Sequence, residues 1–217
     1  VGGDYNGDNL SDCLFGCPAE DPSRAYVVFS PTDFQSPGVD VSTLDGTNGF
    51  SIEGIGPSDA TGVSIENAGD INGDGRADIV VGAFAASDYA GAAYVIFGQQ
   101  TWDATFDVAD LDGGNGFRIA GLDHAGFLGV SVASAGDLNG DGYDDVVVSA
   151  PGADSGRGEV YVVFGRASGF AAEIDLSTLD GSNGFKVDAS AIGDNLGWSV
   201  AGIGDFDGDG IDDLAIS

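Results

Sequence analysis

Asp137-Leu-Asn-Gly-Asp-Gly-Tyr-Asp-Asp145, followed at once by Val146-Val-Val-Ser-Ala-Pro151, is the stretch on which the reading of the fold turns. Its first nine residues place side-chain oxygens at every second position around glycines, the composition of a tight loop. The apolar run that follows is short, β-branched and ended by Pro151-Gly152, the mark of a buried strand. The same loop form returns at Asp4–Asp12, Asp70–Asp78 and Asp205–Asp213, so the four loops start 66, 67 and 68 residues apart. Three other landmarks keep step: Tyr26–Phe29, Tyr94–Phe97 and Tyr161–Phe164; Leu44–Phe50, Leu111–Phe117 and Leu179–Phe185; and the Gly-x-Ser steps Gly62–Ser64, Gly129–Ser131 and Gly197–Ser199. A shared period across independent landmarks identifies an internal repeat.

Each repeat reads as four short antiparallel strands, A to D. Strand A (129–136) is small and Ser/Ala-rich, B (145–150) follows the loop, C (159–164) alternates with period two, and D lies around Phe185–Val187. Four strands per ~67 residues is the cadence of β-propeller blades. The expected architecture is therefore all-β, with a partial unit over 1–55 (B to D), whole units over 56–121 and 122–189, and a partial unit over 190–217 (A and B). The chain opens inside a motif, at Val1-Gly2-Gly3-Asp4, and is expected to be a mature chain or a segment of a larger propeller.

The loops share the form D-x-[DN]-G-D-[GN]-x-x-D. Side chains at positions 1, 3, 5 and 9 and the carbonyl at 7 supply oxygens, as in the first nine positions of the EF-hand loop. The candidate metal ligands are Asp4, Asn6, Asp8, Leu10 and Asp12; Asp70, Asn72, Asp74, Arg76 and Asp78; Asp137, Asn139, Asp141, Tyr143 and Asp145; and Asp205, Asp207, Asp209, Ile211 and Asp213. Oxygen ligands without nitrogen or sulfur select a hard cation, and a flexible crowd of carboxylates suits Ca²⁺ better than Mg²⁺. About four calcium sites are expected. Position 12 is Phe15, Val81, Val148 or Ile216 in place of the EF-hand glutamate, so the loop joins two strands and is expected to bind at ~10⁻⁴–10⁻³ M, as extracellular modules do.

Net charge is −30, and 31 of the 36 acidic residues are Asp, the shorter side chain suited to turns and oxygen cages. Such a surface repels nucleic acid and anionic membranes, and no stretch approaches the ~20 apolar residues of a membrane span. Cys13 and Cys17, four apart in one extended run, are expected to be small buried residues and not a disulfide. The lone His124 is expected in a solvent-exposed loop, Ser64, Ser131 and Ser199 in packing roles, and Trp198 in the core. Trp102 lies in a linker, where its ring could meet a ligand or neighbouring chain. Arg157-Gly158-Glu159 is only loosely like an adhesion tripeptide, and the sequon Asn9-Leu10-Ser11 lies inside a metal loop. No catalytic set emerges, because the paired carboxylates such as Asp144 and Asp145 recur with the repeat.

Loop and strand B together (Asp145–Pro151, Asp78–Phe84 and Asp12–Pro18) resemble the FG-GAP repeats of the integrin alpha-subunit propeller. The resemblance implies calcium loops on one propeller face and ligand recognition on the other, here the loops Gly56–Thr61, Asp123–Leu128 and Ile192–Leu196 with the B–C turns. It implies an extracellular, secreted or surface-displayed adhesion, ligand-binding or assembly module, with a protein or glycan ligand or a neighbouring subunit as partner. The alternative is a non-catalytic accessory module of a larger secreted hydrolase.

Overall fold

The computed structural model describes residues 2–30, 38–56 and 58–217. Val1, part of the first expected unit (31–37) and Pro57 of the Gly56–Thr61 loop lie outside the described residues. The first repeat supplies β1 (Cys13–Cys17), β2 (Arg24–Val28) and β3 (Gly49–Glu53). The second supplies β4 (Ser64–Gly69), β5 (Asp78–Ala83), β6 (Ala92–Ile96), β7 (Thr105–Asp107) and β8 (Gly116–Ala120). The third supplies β9 (Val132–Gly136), β10 (Asp145–Ala150), β11 (Glu159–Val163), β12 (Glu173–Ile174) and β13 (Gly184–Asp188). Strands β14 (Val200–Gly204) and β15 (Asp213–Ile216) complete the chain. The described residues hold no helix long and apolar enough to cross a membrane.

Within each repeat the A, B, C and D strands pair antiparallel in the expected order, as in β9–β10–β11–β13. The first two sheets carry one strand more than the pattern called for. β7 pairs parallel with β3, and β12 with β8, so the linkers of the second and third repeats each add a short strand to the outer edge of the sheet before them. Strands of two or three residues are too short to show a period and leave no mark in the hydrophobic pattern.

Each inner strand also bulges at its end: the register shifts between Asn67 and Gly69, and again between Gly202 and Gly204. Gly69 and Gly136 sit at φ +80 and +68, a region costly to any residue bearing a Cβ, and this kink aims the following aspartate off the sheet.

The core lies between consecutive sheets. Ile79 and Val81 of β5 face Phe50 and Ile52 of the first sheet, while Val80 packs with Val146 and Val148 of the third. Both faces of β5 and β10 are thus buried, which is why their sequences run Val-Val without alternating. The inner strands meet side by side and are tied by the Gly-x-Ser serines. Ser64 Oγ accepts the Val132 N–H (3.2 Å) and Ser131 Oγ accepts that of Val200 (3.1 Å), a role more specific than packing.

At the outer rim, Trp102 stacks on Phe50 of the preceding repeat with ring centres 4.0 Å apart, and its Nε1–H donates to Tyr5 O. Phe170 stacks on Phe117 in the same way. The ring read as available to a ligand is therefore a clamp between repeats. Trp198 departs from expectation the other way: it is 62% exposed, and Val63 at the same repeat position is 38% exposed. Cys13 is exposed and Cys17 half-buried, not buried as expected, and both are free thiols; among the described residues β1 is an edge strand of its sheet. Replacing Trp102 by alanine is expected to cost about 3 kcal/mol in equilibrium unfolding, against under about 0.5 kcal/mol for Trp198→Ala; equal losses would contradict this assignment.

Candidate metal centres

Each acidic loop is first of all a set of hydrogen bonds. In the fourth, Asp205 Oδ1 accepts the N–H groups of Gly208 (2.7 Å) and Asp209 (3.0 Å), and its Oδ2 accepts that of Gly210 (2.9 Å). Asp207 Oδ1 takes the Asp209 N–H and Asp209 Oδ1 the Ile211 N–H. The same pattern runs through Asp137, Asn139 and Asp141, and through Asp4, Asn6 and Asp8. Position 1 thus orders the turn, and alternate side chains at 3 and 5 fold back over it. Loop one carries Asn9 where the others have glycine, and Asn9 adopts φ +66, a conformation asparagine tolerates.

The loops differ in what faces the position-5 carboxylate. Asp8 Oδ2 receives the amide of Asn6 (3.2 Å), Asp141 Oδ2 that of Asn139 (3.0 Å), and Asp74 Oδ2 the Arg76 guanidinium (3.4 Å). In the fourth loop position 3 is Asp207. Among the described residues, oxygens of Asp205, Asp207 and Asp209 lie within 4.8 Å of one another, and no ion pair reaches them. Three carboxylates this close repel one another, and a hard divalent cation is the chemistry that fits their oxygens. The donor set of each loop, all oxygen, fits calcium in the same way.

Position 9 carries a role the spacing did not reveal. Asp12, Asp78 and Asp145 are buried at the root of their loops. Asp78 accepts the Ile71 N–H on one oxygen and the Gly98 N–H on the other, both at 2.8 Å. Asp145 holds Leu138 and Gly165 likewise, and Asp12 holds Tyr5 and Ser30. Each therefore ties its loop to the exit of strand C; a second lone pair on each oxygen leaves room for a cation as well. The sequence signal was the residue after the strand-C phenylalanine: Ser30, Gly98 and Gly165.

The loops implied as a ligand face lie at the other end of the strands. There Leu128 N–H donates to Ala90 O and Leu196 N–H to Arg157 O, so each pre-A loop sits on the B–C turn before it. His124 is exposed and bonds Asp88 across this junction (2.9 Å). Glu159 of the Arg-Gly-Glu triplet is buried against Lys186 and Tyr161, so its carboxylate is not presented to solvent, while Arg157 stays part-exposed.

Burial pushes the Asp78 carboxyl up to about 8 and that of Asp145 to about 7; the backbone donors oppose this shift, while the neighbouring aspartates of each loop add to it. An unfolded aspartate titrates near ~3.9. Between these values the folded, metal-free chain binds more protons than the unfolded one, so raising the pH favours unfolding. In a chelator the melting temperature is expected to fall from pH 5 to pH 8; a rise across that window would contradict the protonated state of these two groups.

A family model described as FG-GAP repeat matches residues 62–96 and 128–163. The chain is 29% identical to integrin alpha pat-2 of Caenorhabditis elegans over 99% of its length, and 29% identical to integrin alpha-V of Gallus gallus over 99%. It is 33% identical to phosphatidylinositol-glycan-specific phospholipase D of Mus musculus over 70%. It spans 17%, 19% and 18% of these relatives' own lengths, respectively. The chain carries FG-GAP repeats, and its all-β sheets form a β-propeller segment related to the integrin alpha subunits.

Proposed function

We propose that the chain is a calcium-stabilised extracellular propeller segment that serves adhesion, ligand binding or surface assembly and carries out no catalysis itself. The observation that supports this most directly is the convergence of Asp205, Asp207 and Asp209 in a loop form repeated four times. Calcium at the four loops, held by the side chains at positions 1, 3, 5 and 9 and the carbonyl at 7, would neutralise carboxylates that burial and crowding leave at odds with their charge. Loops that bind at ~10⁻⁴–10⁻³ M fill only where calcium is millimolar, which favours a secreted or surface setting. The repeat boundaries are taken at 1–55, 56–121, 122–189 and 190–217.

Ligand recognition, of a protein, a glycan or a neighbouring subunit, is assigned to the face opposite the calcium loops, around Asp123–Leu128 and Ile192–Leu196. The similarity to a phospholipase D keeps a second reading in view, that of an accessory module beside a hydrolase domain. A catalytic domain in the same polypeptide would favour that reading.

Calcium at 10 mM is expected to stabilise the fold by about 1.4–2.7 kcal/mol per occupied site at these affinities, raising the melting temperature by several degrees. The loop at Asp205 is expected to bind first, and Asp205→Ala to remove its share. A melting curve indifferent to calcium, with no uptake in equilibrium dialysis, would refute the proposal.

A further inference from the structure

We propose that the second and third acidic loops are each clasped by the loop of the following repeat, so that cation binding at one site depends on residues of the next. This rests on the reading of the loops as calcium sites. The clasp is made at loop position 8, which supplies no expected ligand.

Asp144, in the third loop, accepts the backbone N–H of Asp70, the first residue of the second loop, on its Oδ2 at 2.7 Å. Its own N–H donates to Asp70 O at 3.3 Å, so Asp70 is held on both sides of its Cα. Asp212, in the fourth loop, holds Asp137 in the third the same way: Oδ2 accepts the Asp137 N–H at 2.9 Å, and the Asp212 N–H donates to Asp137 O at 3.4 Å.

The glycine before each held aspartate makes room for the carboxylate. A Cβ on Gly69 would lie 2.2 Å from Asp144 Oδ2, and one on Gly136 would lie 2.1 Å from Asp212 Oδ2. A neighbouring side chain also covers each loop. Tyr143 packs on Gly73, where a Cβ would meet its ring at 2.4 Å, and Ile211 packs on Gly140 at 3.0 Å.

The first junction lacks half of this device. Position 8 of the second loop is Ala77, which keeps the backbone bond to Asp4 O (3.2 Å) and sits over Gly3 but offers no carboxylate.

The consequence concerns the first ligand of each site. Position 1 organises its loop through backbone bonds, two at Asp70 and three at Asp137, so whatever fixes its own backbone fixes the cage. Asp144 and Asp212 are thus positioning residues for the neighbouring site. A cation that orders loop three also sets Asp144 on loop two, and the two sites are linked by one shared element. The order of occupancy then runs from the fourth loop, where three carboxylates converge, back toward the first.

The test follows the loop-glycine amides by two-dimensional NMR of the 217-residue chain as calcium is added. In Asp144→Ala the midpoint read at Gly75, in loop two, is expected to rise about tenfold while that at Gly210, in loop four, stays unchanged. Asp144→Asn, which keeps an acceptor oxygen, should recover most of the loss. Ala77→Asp should lower the midpoint read at Gly7 by restoring the missing clasp. An unchanged Gly75 midpoint in Asp144→Ala, or an equal shift at every loop as general destabilisation would give, overturns the proposal. Absence of any calcium response in the unmodified chain overturns the calcium reading first and this one with it, and so separates the two failures.

Discussion

A buried carboxylate at the root of each of the first three loops is the constraint on which this architecture depends. Asp12, Asp78 and Asp145 are taken out of water, and each holds two backbone N–H groups that the surrounding chain would otherwise leave unpaired. A buried donor without a partner costs about 1–3 kcal/mol. One aspartate therefore decides where the loop begins and where strand C lets go of the sheet. The charge on that aspartate is costly in such a place, and the remaining aspartates of the loop raise the cost. The fold has set local geometry against local electrostatics, and a divalent cation bound there, as proposed, would relieve the conflict.

Around that pin, the repeats hold together by exchange. Inner strands are cross-tied by serine hydroxyls, outer strands by linker segments paired to the sheet before them, and the rim by Trp102 on Phe50 and Phe170 on Phe117. A four-stranded sheet has two apolar faces and can cover neither by itself, which explains both the unbroken Val runs of strand B and the need for neighbours on either side.

The sequence made legible what repeats in every unit. Strand order, the loops and their oxygen pattern stand out because they recur at one period and rest on near-neighbour chemistry. What it hid depends on partners far along the chain. Ser30, Gly98 and Gly165 lie about one strand and turn away from the aspartates they bond, and only a folded sheet brings them back. The stacking of Trp102 on Phe50 joins two repeats and so leaves no local pattern, and the exposure of Trp198 follows no periodicity that its neighbours in sequence display. The doubled aspartates Asp144-Asp145 and Asp212-Asp213, set against Ala77-Asp78, were the one visible hint that position 8 reaches outside its own unit.

The backward donation of β7 and β12 means that the unit of sequence and the unit of structure are out of step. A sheet is finished only when the next repeat has been made, so an array emerging from the ribosome always trails one incomplete edge behind its growing end. Gene duplication meets the same offset with no penalty: a segment one period long, cut at any point, brings one donated strand and one vacant edge, and each finds its complement in the units on either side. Arrays of this kind can lengthen or shorten by whole periods without a designated breakpoint.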